Sequence, residues 1–175
     1  MPSESVLLVL TVIGDDRPGL VGELAAAISA HEGNWLESSM SHLAGKFAGI
    51  VKVAVPTARA EPLEQALDKL SGLRVTSESS AEADRGKGRR LKLSLVGHDR
   101  IGIVREVSQV LARHAVNVEE LATRTSSAPM SAEILFHADA ELLGGPELDA
   151  RALAAELERI SDDLMVDINL DEALK

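Results

Sequence analysis

The chain has 175 residues, enough for one ordinary domain or for two small ones of about 80 residues each. Its net charge of −10 disfavours direct nucleic-acid binding, which depends on neutralising phosphates, and its 2% aromatic content removes the stacking platforms used for single strands. It has no cysteine, which excludes disulfides, thiolate metal sites and cysteine nucleophiles.

The N-terminal Met1-Pro2-Ser3-Glu4-Ser5 lacks the basic region of a signal peptide. Val6–Ile13 is almost continuously apolar, too short to cross a membrane but right for a buried strand, with Leu8, Leu10 and Val12 facing one core. A cytoplasmic protein with no membrane contact is expected. Leu20, Leu24 and Ile28 recur at i+4 and place one apolar stripe on a helix. Pro18 suits its first turn, and His31 falls at its C-terminal end. Two strands follow, Asn34–His42 and Phe47–Val55, joined through Ala44-Gly45-Lys46. Phe47, Gly49, Val51, Val53 and Val55 share one face. Pro62–Leu70 reads as a second helix and Leu73–Ser77 as a closing strand. Ser77–Arg90 is polar and aperiodic and reads as a linker, in which Lys87, Arg89 and Arg90 are a solvated cluster.

The pattern then starts again. Gly14, Asp16, Arg17, Gly19, Val21, Glu23, His31, Asn34 and Glu37 all recur 83 residues later, nine of the 24 positions from Gly14 to Glu37. Chance would match roughly one or two. In this second copy Leu91, Leu93 and Leu95 face one side of a strand and Lys92 and Ser94 the other. Ile103, Val107 and Leu111 repeat the helical stripe, and His114 repeats the helix end. Asn117–Thr125 and Ser131–Ala138 read as the paired strands, with Ser126-Ser127-Ala128-Pro129 between them. Carrying the offset forward matches Met130, Ala132, Ile134, Phe136 and Ala138 to the face begun by Phe47. Glu147–Ile160 and Leu164–Leu170 complete the unit as helix and strand.

The order β-α-β-β-α-β, twice, predicts an α+β protein of two ferredoxin-like modules, each an antiparallel sheet with both helices on one face. The expected divisions are residues 1–79, a linker at 80–90, and 91–175. Modules this small bury a modest share of their surface, so packing together or forming a homo-oligomer is expected. One asymmetry bears on this. The sheet face away from the helices carries Val9, Thr11, Ile50 and Ala54 in the first copy, but Lys92, Ser94, Glu133 and His137 at the same offset in the second. The apolar version implies cover from another sheet or a partner.

Catalytic signals are missing. His31, His42, His98, His114 and His137 show no metal-ligand spacing, and there is neither a Gly-x-Ser-x-Gly elbow nor a phosphate loop. No metal, no cofactor and no enzymatic activity are expected.

Gly14-Asp15-Asp16-Arg17-Pro18-Gly19-Leu20-Val21 after the first strand, with Asn34 opening the second, resembles the ACT domain, a small regulatory module that commonly binds amino acids. Two in tandem over nearly the whole chain resemble the glycine cleavage system transcriptional repressor family, whose members act through a DNA-binding activator rather than on DNA themselves. The resemblance implies an amino-acid effector, with glycine the one it suggests, and a protein partner such as a transcriptional activator. It places ligand contacts on Asp15, Asp16, Arg17, Gly19, Leu20 and Asn34, and in the second copy on His98, Asp99, Arg100, Gly102, Ile103 and Asn117. The first copy is the closer match, because Ile101 replaces Pro18 and Val116 replaces Gly33 in the second.

The residues themselves permit two readings. A glycine turn into a helix exposes backbone N–H groups at the positive end of the dipole, which can hold a carboxylate, and an asparagine can both donate and accept beside it. Alternatively Gly19 and Gly102 serve packing, Asp16 and Asp99 cap their helices, Asn34 and Asn117 satisfy turns, and Arg17 and Arg100 form exposed ion pairs. The first reading gives an amino-acid-responsive regulator; the second, a constitutive interaction module with no small ligand.

Overall fold

The computed structural model describes residues 4–81, 88–128, 133–164 and 166–172, with the backbone alone for 163, 164, 166–170 and 172. The chain divides into two compact units, Met1–Asp84 and Arg85–Lys175. Of the expected linker, residues 82–87 lie outside the described residues, while Ser80 still belongs to a strand and Arg89 already begins the next.

The first unit runs β1 (Ser5–Asp15), α1 (Leu20–Ala30), β2 (Asn34–Leu43), β3 (Lys46–Pro56), α2 (Thr57–Leu67) and β4 (Leu73–Ser80). Its antiparallel sheet has the order β2-β3-β1-β4. The most apolar strand, β1, is flanked by neighbours on both sides. Its Leu8, Leu10 and Val12 pack with Val51 and Val53 of β3 against Leu24 and Ile28 of α1 and Leu63 and Leu67 of α2. Each of these side chains contributes roughly 1.5–3 kcal/mol by leaving water. The second unit repeats the plan as β5 (Arg89–His98), α3 (Ile103–Arg113), β6 (Asn117–Ser127), β7 (Ile134–Gly144), α4 (Ala150–Leu164) and β8 (Val166–Glu172), with sheet order β6-β7-β5-β8. Leu91, Leu93 and Leu95 face its core with Val107, Leu111, Leu153 and Leu157. The expected pair of ferredoxin-like modules is what the chain forms.

The 83-residue offset does not survive the second hairpin. Thr11 lies opposite Ile50, but Ser94 lies opposite Asp139, so β7 matches β3 at an offset of 89. The counterparts of Ile50 and Ala54 are therefore Asp139 and Leu143, not Glu133 and His137, and Phe47 is matched by Phe136. The hairpins explain the slip. In the first unit Ala44 (φ 50°) and Gly45 (φ 76°) close β2 onto β3 in two residues, the signs of a type I′ turn. In the second, pairing continues to Ser127 opposite Ile134, and the Ala128 N–H donates to the Glu133 carbonyl at 2.9 Å around a longer connection. Hence β7 starts at Ile134 and runs to Gly144, rather than spanning Ser131–Ala138. Met130 and Ala132 lie outside the described residues.

Two helix starts also move. The second helix begins at Thr57, whose N–H and hydroxyl both donate to the Glu4 carbonyl, at 2.9 and 2.7 Å, and Pro62 sits inside it. The fourth begins at Ala150 rather than Glu147, because the Asp149 carboxylate accepts the N–H groups of Arg151 and Ala152, each at 3.0 Å. Those two bonds, that from Ala152 foremost, hold the Asp149 carboxyl below its usual range.

Candidate loops at the helix entrances

The glycine turns between β1 and α1 and between β5 and α3 are built alike. Gly19 (φ 94°) and Gly102 (φ 102°) are the N-caps, both left-handed, and neither helix has a side-chain cap. Asp16 and Asp99 are therefore not the caps that their spacing predicts, and Pro18 precedes the cap instead of opening the helix. A side chain at either glycine would be strained by its positive φ. With no capping oxygen, the first-turn N–H groups of each helix are left for water or for a ligand anion.

Each loop arginine turns back onto its own helix. The Arg17 guanidinium donates to both oxygens of Glu23, at 2.7 and 2.8 Å, and also to the Ser71 carbonyl at 3.1 Å. Arg100 donates to Glu106 at 3.1 and 3.2 Å. The Arg17 guanidinium holds the Glu23 carboxyl below the usual carboxylate range. The spacing Arg-x5-Glu is present in both copies of the repeat, and the identity of the glutamates at the offset is the signal in the sequence for these loop partners. Asp15 pairs with Lys46 across β1 and β3, and that ammonium lowers the Asp15 pKa. Asp16 lies 3.5 Å from His42, and its N–H donates to the Gly45 carbonyl at 3.0 Å, tying the loop to the hairpin. In the second unit His98 lies 3.8 Å from Glu133 and the Asp99 N–H donates to Ile134.

Beside the first loop is a shallow depression of about 140 Å³, lined by Asp16, Arg17, Gly19, Leu20, Val21 and Phe47. Leu20 is nearly fully buried, as is its counterpart Ile103, so each seats the helix rather than reaching out. The second loop presents a fully exposed Ile101 where the first has Pro18.

The asparagines are not brought to these loops within their own modules. Asp15 is opposite Lys46 at one end of β3, and Asn34 is opposite Ala54 near the other. At about 3.3 Å per residue the two ends are roughly 26 Å apart, several times the length of an amino acid. Asn117, opposite Leu143, is equally remote from His98, opposite Leu135.

Among the described residues, no helix is long and apolar enough to cross a membrane, and no cluster of histidines and carboxylates has the arrangement of a metal site. The family model described as the ACT domain matches residues 6–74. An unknown protein from Galdieria sulphuraria has a similar solved structure, with TM-score 0.88, at 30% identity, covering 98% of this chain and 100% of that one. A protein provisionally assigned as a glycine cleavage system transcriptional repressor matches with TM-score 0.73 at 18% identity, over 99% of this chain and 100% of that one. No curated protein matches the sequence.

Proposed function

We propose, from the premise that this chain belongs to the ACT-domain family and carries two ACT modules in tandem, that it is a non-enzymatic regulator that binds an amino acid and signals to a protein partner. The observation that carries this reading is the uncapped helix entrance at Gly19, facing a depression lined by Asp16, Arg17 and Phe47. The ligand α-carboxylate would accept the first-turn N–H groups of α1, where the helix dipole favours negative charge. The α-ammonium would meet the Asp16 carboxylate, which is exposed and, among the described residues, engaged only by His42 at 3.5 Å. An asparagine at this site must come from a second module, and we assign that role to Asn34 of another copy of the chain. Binding would then favour one subunit arrangement over another, and the partner would read the arrangement. The role of a glycine cleavage system repressor, with glycine as effector, enters here from the likeness of fold and motif.

One observation favours the second reading. Arg17, Arg100 and Asp15 are each engaged by a neighbour, which a purely structural loop would also require. A thermal-shift panel of the common amino acids separates the two. A ligand at 100 times its Kd stabilises the native state by about 2.7 kcal/mol. A shift with one amino acid, lost in Asp16→Ala, supports the sensor; no shift with any of them leaves the constitutive docking module.

A further inference from the structure

The first unit has a second concave site, on the sheet face away from the helices. It is a cleft of about 390 Å³ at the loop end of the sheet, lined by Ile13, Asp15, Lys46 and Arg74 over a floor at Gly14 and Gly72. The strand register places these side chains together. Ile13 is opposite Arg74 on β4 and Asp15 is opposite Lys46 on β3, so all four alternate onto one face. Gly14 alternates to the opposite face, where a Cβ would lie 2.2 Å from the Gly72 carbonyl oxygen, so towards the cleft it presents only backbone. The walls thus meet over backbone, and a small ligand can reach down to it.

The charge of the cleft opposes that of the chain. Lys46 and Arg74 outnumber Asp15 in a protein of net charge −10. The Lys46 ammonium is held by Asp15, whereas Arg74 has no ionic or hydrogen-bonding partner among the described residues. A free planar guanidinium is suited to a carboxylate or a phosphate taken in two parallel bonds. The backbones of Lys46 and Arg74 lie two strands and two residues apart, about 12 Å from strand spacing and rise, so their long side chains can converge on one ligand. The second unit supplies an internal contrast. Its equivalent positions are Val96, His98, Leu135 and Asp167, with neither lysine nor arginine among them. The cation pair therefore belongs to the first unit and is not demanded by the fold.

We propose that this cleft binds a small dianion, a dicarboxylate or a phosphate monoester, with Arg74 taking one charge in a two-point contact and Lys46 the other. Because Lys46 is also the partner of Asp15, an anion on Lys46 loosens the hold on the first residue of the helix-entrance loop. The cleft and the loop are thereby coupled through one ion pair.

The test is calorimetric titration of the full chain at low ionic strength with succinate and with glycerol 3-phosphate, beside glycine as a zwitterion lacking the second charge. The expected result is saturable binding of at least one dianion, weakened tenfold or more in Arg74→Ala and in Lys46→Ala, and unchanged in Arg124→Ala of the other unit. Which of the two binds more tightly distinguishes carboxylate from phosphate. Arg74 is exposed and outside the core, so its variant is expected to fold, and an unchanged thermal transition checks that. Absence of binding by both dianions, or equal binding by wild type and a folded Arg74→Ala variant, overturns the proposal. Neither outcome bears on amino-acid binding at Gly19.

Discussion

Arg17 reaches six residues along the chain to grip both oxygens of Glu23, across a left-handed Gly19 that no side chain caps. Arg100 and Glu106 repeat this across Gly102. The ion pair does what a capping side chain does elsewhere: it fixes the entry of the chain into the helix. It does so without filling the N–H groups, so the helix end stays open.

That pair has a definite pH dependence. The folded pKa of Glu23 lies below its ordinary value near 4.5, so the unfolded chain takes up the proton first as pH falls. The stabilisation is fully present above the unfolded pKa and is lost as pH drops through the folded one. Both partners are exposed and screened, so the effect is small. Glu23→Gln is expected to lower the midpoint of urea unfolding slightly at pH 7 and not at pH 2. An equal loss at both pH values would show that the charge is not what matters.

The glycines separate those that the fold needs from those it does not. Gly22 lies inside α1 with nothing near an added Cβ, so Gly22→Ala should stabilise by roughly 0.5–1 kcal/mol. Gly49 lies in β3, where a Cβ would fall 2.3 Å from the Ser39 carbonyl oxygen. Gly49→Ala should destabilise by roughly 1–3 kcal/mol, as overpacking does. Urea denaturation of the two variants checks both signs.

Both first helices end on a residue in the left-handed region that is not glycine, Glu32 (φ 59°) and Ala115 (φ 52°). The chain closes there with Gly33 and Val116 donating to Ile28 and Leu111, at 2.9 and 3.0 Å. A left-handed alanine costs roughly 1–2 kcal/mol, part of which glycine gives back as unfolded-chain entropy. Ala115→Gly should therefore raise stability by about 0.5–1 kcal/mol. Its exposed side chain removes packing as a confounding effect. A lower denaturation midpoint would contradict this.

Leu24 and Leu153 are fully buried, one in each core. Truncation of either to alanine should cost about 2–5 kcal/mol. The two cores are distinct, so hydrogen exchange in Leu24→Ala should rise across β1, α1, β2, β3, α2 and β4, with Leu153→Ala acting on the other set of elements.

The sequence was most legible where chemistry repeats. Strands with alternating leucines and helices with i+4 stripes were readable because burial imposes those periods, and the second module followed from the first. Legibility ended where a turn changed length. The 83-residue offset was carried through the second hairpin, although only Ala44-Gly45 provides a two-residue closure and nothing like it stands at the corresponding place. The chain's two phenylalanines, Phe47 and Phe136, were the available sign that the offset had become 89. With the corrected register the asymmetry of the open sheet faces narrows: exposed Ile50 is still matched by a charged residue, Asp139, but Ala54 is matched by Leu143 rather than by His137. The loops were located but their internal wiring was not: an aspartate three residues before a glycine resembles a cap until an arginine–glutamate pair takes over that task. The remoteness of Asn34 from the loop was hidden for another reason. Strand direction, not sequence distance, decides which end of the sheet a residue occupies.

An amino acid held at the entrance of α1 would contact the first-turn N–H groups of that helix. The most direct measurement is an amide-resolved NMR titration of the full chain with glycine and then with the other common amino acids. Saturable shifts are expected at the N–H groups of Leu20, Val21 and Gly22 with one of them, abolished in Asp16→Ala. If none moves these amides, or if the shifts cluster elsewhere and survive Asp16→Ala, the helix entrance is not the site.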